Sequence, residues 1–215
     1  MENKKDLYII GAGGFGRGVL VWASLVAPEK RVWRIKAFLD SMPDVLDNYD
    51  CEVSVAGDPL SYDFTGEELL ICAIGDPKTR LSLCRKVLNR GGIFTTFIHP
   101  RAIVSSSARI APGCILATNV LISPGVCVDA FSVILGSSAI GVNAHLEQGV
   151  TVSAFSAIGE EAVLKEGVFL GSHAIIAPGT IVGAGAKIGA RTFVKGNIPA
   201  GATYFGIPGQ MIAGF

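Results

Sequence analysis

Residues 115–152 read ILATNVLISPGVCVDAFSVILGSSAIGVNAHLEQGVTV, and every sixth residue from Leu116 onward is valine, isoleucine or leucine. The same period runs without interruption from Val104 to Val194, and a small residue or valine stands two places before each member. Neither an α-helix, with 3.6 residues per turn, nor a single strand, with a period of two, produces this spacing. A hexapeptide repeat is typical of a parallel β-helix, in which the aliphatic residue points inward.

The length of the repeat predicts the size of the β-helix. Three hexads close one triangular coil, so residues eighteen apart in sequence stack about 4.8 Å apart, the ordinary spacing of strands. The sixteen hexads between Val104 and Val194 therefore predict slightly more than five coils with no inserted loop.

The preceding residues follow a different pattern, in which apolar strand segments alternate with helical segments. Strands are predicted at 6–13, 34–40, 52–58, 68–76 and 92–98, and helices at 18–26 and 77–91. This alternation predicts a small parallel α/β domain that resembles half of a Rossmann fold. We expect an α/β domain at residues 1–98 and an all-β left-handed parallel β-helix with a C-terminal tail at residues 99–215.

Composition excludes several classes of function. The formal net charge is zero and the basic residues do not cluster, so we expect no nucleic-acid partner. The longest mostly apolar stretch, residues 18–28, is too short for a membrane helix, which needs about 20 residues. The five cysteines show no CxxC pair and no metal-ligand spacing. The cysteines predict a cytoplasmic protein with reduced thiols and no metal site. The short apolar stretch predicts no membrane insertion.

Motifs along the whole chain carry a family resemblance. They are IIGAGGFGR at 9–17, AFLDS at 37–41, CAIGDPKTR at 72–80, FIHPRAIVS at 97–105, the hexads, FVKGNIP at 193–199 and GIPGQMI at 206–212. In their order and spacing the chain resembles the NeuD/PglD-type sugar O-/N-acetyltransferases, which are left-handed β-helix acyltransferases. The resemblance implies a homotrimer with active sites between neighbouring β-helices, acetyl-CoA as co-substrate along the later coils, and a nucleotide sugar held partly by the N-terminal domain.

The glycine loop allows three interpretations. Gly11, Gly13 and Gly16 form GxGxxG between a predicted strand and helix, with Asp40 at the end of the next strand. This pattern fits the diphosphate of a nucleotide sugar, the pyrophosphate of NAD, or a turn kept for packing. The family resemblance implies the nucleotide sugar, with substrate-binding residues Gly13, Gly14, Phe15, Gly16, Asp40, Gly75, Asp76 and Arg80. Asp76 also fits a helix N-cap before Pro77.

The acetyl-transfer site departs from the family pattern. The family base is a histidine followed by an acidic residue, with a second histidine nine residues later. Ungapped registration places Val142 at the base, Asn143 at the acid and Thr151 at the second histidine. The resemblance also implies a set of residues along the coenzyme. These cofactor-binding residues are Thr151, Ser153, Gly171, His173, Ala177, Gly183 and Gly189.

Three explanations of the missing imidazoles remain open. In the first, His145 is the catalytic base, because it lies on the strand that leaves the same corner and faces outward; Asn143 and Glu147 then complete the catalytic residues. In the second, the protein binds its ligands without transfer. In the third, positioning replaces the base, because an amine near its own pKa needs little help.

Other outward residues have competing structural interpretations. Cys127 and His145, eighteen apart, fit either a nucleophilic pair or a cysteine buried for packing. Asp129, Glu147 and Lys165 are also eighteen apart and predict a charge-paired stack. His173 either contacts coenzyme A or caps a turn, and His99 is expected to be structural.

The expected function is acetyl-CoA-dependent N-acetylation of a nucleotide-linked amino sugar in surface-polysaccharide or glycan sugar biosynthesis. One alternative is a catalytically silent trimer that binds a sugar nucleotide. The other is a sugar O-acetyltransferase of the sialic acid type, although attack by a hydroxyl needs a base more than attack by an amine does.

Overall fold

The computed structural model describes residues 4–212, and the chain divides into two compact units, Met1–Phe97 and Ile98–Phe215. The elements of the first unit are β1 (Lys5–Ile10), α1 (Gly14–Ser24), a 3-10 turn (Pro28–Lys30), β2 (Trp33–Leu39), β3 (Leu69–Cys72) and α2 (Pro77–Asn89). The three strands are parallel in the order β2-β1-β3, so their carboxyl ends meet at one edge. The α/β prediction is confirmed.

Two of the predicted strands of this unit are much shorter in the structure. The segment 52–58 contributes one parallel bridge, from Val55 to Phe38, and the segment 92–98 contributes a bridge from Phe94 to Leu70 before β4 (Phe97–Ile98). None of residues 52–58 is fully buried, and Gly57 has a φ of 151°. The apolar alternation of 52–58 therefore has little surface to pack against, and the prediction of a full strand there is wrong.

The second unit is a prism of very short parallel strands that ends in one antiparallel pair, confirming the left-handed β-helix. Its strands after β4 are β5 (Ile103–Val104), β6 (Arg109–Ile110), β7 (Ile115–Leu116), β8 (Leu121–Ile122), β9 (Cys127–Val128), β10 (Val133–Ile134), β11 (Ala139–Ile140), β12 (His145–Leu146), β13 (Thr151–Val152), β14 (Ala157–Ile158), β15 (Val163–Leu164), β16 (Phe169–Leu170), β17 (Ile175–Ile176), β18 (Ile181–Val182), β19 (Lys187–Ile188), β20 (Phe193–Val194), β21 (Thr203–Phe205) and β22 (Gln210–Ile212).

Three sheets form the faces of the prism. Face B contains β22-β21-β19-β16-β13-β10-β7-β4, face C contains β20-β17-β14-β11-β8-β5, and face D contains β18-β15-β12-β9-β6. From β5 to β20, paired residues on neighbouring strands are eighteen apart, as for His145 with Cys127 and Val163. The second residue of most of these strands is fully buried in one continuous apolar core. The hexad register predicted which side chains point inward.

Hydroxyl groups inside the β-helix bond to the next coil. Ser132, Ser138 and Ser156 each donate to a carbonyl oxygen fifteen residues later, at 3.1, 3.1 and 3.2 Å. The buried Thr180 hydroxyl has no partner among residues 4–212. The repeat shortens there, because Val182 pairs with Ile198, sixteen residues later rather than eighteen. The missing bond therefore follows from the end of the six-residue period.

The alternation of inward and outward side chains predicts a large difference between two leucine variants. Leu146 is fully buried in the core, whereas Leu121 points outward and is 42% exposed. Leu146→Ala is expected to lower the free energy of unfolding by about 2–5 kcal/mol through a cavity. The exposed Leu121→Ala is expected to cost less than about 1 kcal/mol. Denaturant unfolding of both variants measures this, and equal losses would contradict the assigned register.

Candidate active site

The glycine loop lies at the carboxyl edge of the first unit's sheet. Gly11 has a φ of 93°, and its N–H donates to the carbonyl of Leu39 at 2.8 Å. A Cβ on Gly16 would lie 1.8 Å from the carbonyl oxygen of Gly11, whereas Gly13 and Gly14 have open space and are exposed. Gly16 is therefore required for packing, and Gly13 with Gly14 leaves the start of α1 accessible.

Asp40 holds this loop in place. One carboxylate oxygen accepts the N–H of Ala12 at 2.8 Å, and the other accepts the N–H of Met42 at 3.0 Å. Both oxygens thus bind backbone of the same unit, which links the glycine loop to the end of β2. This role was not expected from the sequence, which suggested only contact with a ribose or base.

Arg17 lies beside the same loop and was not identified from the sequence. Its guanidinium stands 3.5 Å from the centre of the Tyr49 ring and donates to the carbonyl of Ala12 at 3.3 Å. No carboxylate pairs with it within residues 4–212. The first turn of α1 also contains no acidic residue. A cation near the positive end of a helix dipole is unfavourable unless an anion joins them.

The remaining predicted substrate residues of this edge have local partners. Asp76 is the N-cap of α2 and accepts the N–H and the hydroxyl of Thr79 at 2.8 and 2.7 Å. Arg80 is fully buried and donates to the carbonyls of Ile74 and Gly75 at 2.8 and 3.1 Å. Phe15 is half-buried and makes an edge contact with Trp22. The contacts of Asp76 and Arg80 position the loop after β3.

On face D, His145 is paired with an acid that the sequence analysis assigned elsewhere. Its Nε2 lies 3.0 Å from Oδ2 of Asp129, and both side chains are about two-fifths exposed, 41% and 42%. When Nε2 carries the proton and donates to Asp129, Nδ1 keeps a lone pair, and it has no partner in the described part of the chain. The pair thus has the geometry that a general base with an orienting carboxylate requires.

Asp129 was missed because its spacing is not that of a simple ladder. Asp129 lies eighteen residues before Glu147 and therefore sixteen before His145. Its contact with His145 thus runs diagonally between neighbouring coils, whereas a simple ladder joins residues eighteen apart. Of the predicted stack, only Glu147 and Lys165 form an ion pair, at 2.7 Å. The prediction of a continuous charge-paired stack through Asp129 is therefore wrong.

Glu147 is held by neighbours on the next coil. It accepts from Nζ of Lys165 at 2.7 Å and from the N–H of Glu166 at 3.1 Å. Partial burial alone raises its pKa, but these hydrogen bonds and the charges of Lys165 and His145 outweigh burial and leave the pKa below its ordinary value. Glu147 is thus ionised in a fixed position beside the His145 pair.

The depressed pKa of Glu147 predicts a pH dependence of stability. Its contribution is present above the ordinary pKa of 4.5 and is lost as the pH falls through the lower folded value. Glu147→Gln is expected to reduce the free energy of unfolding by less than about 1 kcal/mol near pH 6 and by a smaller amount near pH 3. Denaturant unfolding at both pH values checks this. A Gln variant whose deficit grew at low pH would contradict the pairing.

A valine stands at the corner where the family resemblance implies the catalytic base. Val142 is half-buried, and Asn143 follows with a φ of 57° and an exposed side chain. A Cβ on Gly125 would lie 2.2 Å from the Asn143 side-chain oxygen, so Asn143 covers the glycine of the preceding coil. Thr151 begins β13 on another face and is buried.

The predicted cofactor residues occupy more than one side of the prism. Thr151 belongs to face B, and Ser153, Gly171, His173 and Gly189 lie on the corner that follows it. Ala177 follows a strand of face C, and Gly183 follows a strand of face D. A single chain therefore brings five of the seven predicted cofactor residues to one edge of the β-helix. Ala177 and Gly183 lie at the other two edges.

Two other sequence candidates have local partners. Cys127 accepts from Nη2 of Arg109 at 2.7 Å and stacks under His145 in the strand register. His99 is 4% exposed, and its Nδ1 accepts the N–H of Arg101 at 3.1 Å. Burial, assisted by the Arg101 charge, lowers the pKa of His99. His99 stays neutral and joins a turn.

Two features are absent from residues 4–212. No cluster of three or more His, Cys, Asp or Glu side chains that could hold a metal occurs among them. None of their helices combines the length and apolar character needed to cross a bilayer.

Comparison with known proteins gives a match for each part of the chain. The PglD N-terminal domain family matches residues 6–87, and the bacterial transferase hexapeptide family (six repeats) matches residues 161–196. A structure of perosamine N-acetyltransferase from Caulobacter crescentus, a point mutant with CoA and GDP-perosamine, is 25% identical with a TM-score of 0.87. It covers 100% of this chain, which covers 99% of it. The chain thus resembles a sugar N-acetyltransferase over its whole length and matches the PglD N-terminal domain family in its first part. The resemblance stated from the sequence is confirmed.

Two further solved structures are similar over nearly the whole chain. PerB from Caulobacter crescentus, with CoA and GDP-perosamine, is 26% identical with a TM-score of 0.76 and 99% coverage of both chains. The acetyltransferase domain of PglB from Neisseria gonorrhoeae is 24% identical with a TM-score of 0.85, covering 97% of this chain and 100% of its own, and supports the fold alone. No curated protein sequence matches the chain.

Proposed function

We propose that the protein transfers the acetyl group of acetyl-CoA to the amine of a nucleotide-linked amino sugar, in the synthesis of a surface polysaccharide or glycan. The His145–Asp129 pair carries this proposal, because it supplies a base with an orienting carboxylate one strand after the corner where the family base is replaced by Val142. The Caulobacter structures contain both CoA and GDP-perosamine, which supports this class of donor and acceptor.

The residues of the pair define a proton path. Nδ1 of His145 accepts the proton of the sugar amine as the amine nitrogen forms its bond to the thioester carbonyl carbon. Asp129 accepts the Nε2–H bond and stabilises the imidazolium that results. Backbone N–H groups at the β-helix corners are proposed to bind the oxyanion. As the carbon–sulfur bond breaks, the imidazolium returns its proton to the leaving thiolate.

The first unit is proposed to hold the nucleotide diphosphate. The accessible start of α1 at Gly13 and Gly14 offers backbone N–H groups, and Arg17 adds a positive charge that lacks a carboxylate partner. Asp40, Asp76 and Arg80 then hold the neighbouring loops in place through their local bonds. The domain division near residue 98 separates this binding role from transfer.

The assembly is proposed to be a homotrimer that acts in the cytoplasm. The seven cofactor residues lie on different corners of the prism, so one coenzyme reaches all of them only when neighbouring chains contribute different edges. Multi-angle light scattering of the purified protein measures this mass directly.

A second candidate function is binding without transfer. The observation that favours it is the apolar Val142 at the family's base position, together with Thr151 in place of the second histidine. A protein of this kind binds nucleotide sugars and CoA but leaves acetyl-CoA intact.

The release of free thiol from acetyl-CoA separates the two functions. The protein is incubated with acetyl-CoA and amino sugars linked to guanosine or uridine diphosphate, starting with GDP-perosamine. Transfer predicts thiol release that depends on the sugar, and a product that has gained one acetyl group. Calorimetric binding of the same sugars without thiol release would support the silent protein and overturn the transferase.

A further inference from the structure

Two aromatic side chains occupy backbone positions that favour glycine. Phe155 and His173 have φ values of 61° and 63°, a region that costs an ordinary residue about 1 kcal/mol or more. Their rings stack with centroids 5.0 Å apart and an angle of 21° between planes. Both side chains are exposed, Phe155 by 58%, so burial in the core does not offset the cost of the positive φ. Asn119 and Ser137 adopt the same positive φ at the equivalent positions of earlier coils, so the conformation belongs to this corner of the β-helix. What distinguishes Phe155 and His173 is that two exposed aromatic rings stack there, which offers a flat surface to a ligand.

Arg191 continues the same column on the next coil. Its φ is 54°, and the N–H groups of Phe155, His173 and Arg191 donate to the preceding coil at 3.0, 3.0 and 2.9 Å. Two coil steps separate the Phe155 and Arg191 corners by about 10 Å, and the flexible arginine stem shortens this gap for its guanidinium. A flat aromatic surface and a cation thus stand on one edge of the β-helix.

The end of the chain that contains this edge carries unbalanced positive charge. No Asp or Glu occurs after Glu166, whereas Lys187, Arg191 and Lys195 follow it, although the whole chain has a net charge of zero. All three basic side chains are exposed, and none has a carboxylate partner within residues 4–212. Their field favours a ligand with several negative charges.

Aromatic stacking and uncompensated charge together fit one end of coenzyme A. We propose that the Phe155–His173 ring pair stacks the adenine of CoA and that Arg191 binds its 3′-phosphate. Aromatic side chains stack on purines, and a guanidinium binds phosphate through paired hydrogen bonds. The assignment rests on the proposed function, which supplies CoA as the ligand. It adds Phe155 and Arg191 to the coenzyme site and gives His173 a specific role.

Glycine variants test the ring pair without straining the fold. Phe155→Gly and His173→Gly restore the residue that a positive φ favours, so thermal stability is expected to be unchanged or higher. CoA affinity, measured calorimetrically without any sugar, is expected to fall about 5- to 100-fold for each. Affinity for pantetheine, which lacks the nucleotide, is expected to stay the same. Light scattering confirms that the assembly is unaltered.

Arg191→Gln is tested with ligands that differ by one phosphate. It is expected to weaken CoA about tenfold and to leave dephospho-CoA within about twofold. The matched control is Lys30→Gln, which removes the charge of an exposed residue of the first unit and is expected to leave both affinities unchanged.

Three results would overturn this assignment. They are CoA affinities unchanged in all three variants, equal losses for CoA and dephospho-CoA in Arg191→Gln, or weaker GDP binding in place of weaker CoA binding. Failure of the proposed acceptor gives a different pattern, since CoA binding with the expected variant losses but no acetylated sugar supports this site and rejects only the transfer.

Discussion

Replacing His145 by alanine is expected to lower kcat for acetyl transfer by about 100- to 10,000-fold, because the sugar amine loses the group that accepts its proton. KM values for acetyl-CoA and the sugar are expected to change little, since the imidazole acts in the transition state rather than in binding. Steady-state kinetics with the best substrate of the thiol-release assay measures both constants. Full activity in His145→Ala would remove the base assignment.

The role of Asp129 is tested beside it. Asp129→Asn keeps the size of the side chain but removes the negative charge that stabilises the imidazolium, so kcat is expected to fall, by less than in His145→Ala. A purely structural role would lower thermal stability and leave kcat unchanged for the folded protein. The matched control is Asp63→Asn, an exposed carboxylate of the first unit that is expected to leave kcat unchanged.

Gly16→Ala is expected to cost the glycine loop about 3 kcal/mol or more, because the new Cβ would lie 1.8 Å from the carbonyl oxygen of Gly11. The loop and α1 cannot both keep their places, so binding of GDP or UDP is expected to fall at least about 100-fold. Thermal unfolding and calorimetric titration with the nucleoside diphosphates measure the two effects.

Gly14→Ala is the matched control for stability. Gly14 is the first residue of α1 and has no atom within 4 Å of an added Cβ, so alanine is expected to keep or raise the stability of the helix. Equal stability of the two variants would show that the close approach of Gly16 to Gly11 does not constrain the loop.

The β-helix could be predicted from the sequence because one periodicity decides both its fold and its register. The repeat from Val104 to Val194 gave the inward side chains, and the pairing of Cys127 with His145 followed from their separation of eighteen. In the first unit, the glycine loop was located but the segment 52–58 was assigned too much strand. Apolar alternation does not reveal whether a neighbouring surface exists to bury it.

The proposed catalytic pair could be predicted only in part. Alignment with the family pattern places Val142 at the position of the base and makes His145, three residues later, the candidate to replace it. Asp129 is not predicted as its partner, because their contact is diagonal between coils and depends on side-chain rotamers. The burial of Arg80 and the contact between Arg17 and Tyr49 depend on how the loops fold over the sheet edge. No periodicity in the sequence encodes these contacts.

The central claim is that His145 has replaced the family base at Val142. The most direct measurement is the distance from Nδ1 of His145 to the sugar amine nitrogen in a crystal structure with CoA and the nucleotide amino sugar. A separation of about 3 Å, or a single bridging water, is the predicted result. A separation beyond roughly 8 Å, with no water between them, would contradict it.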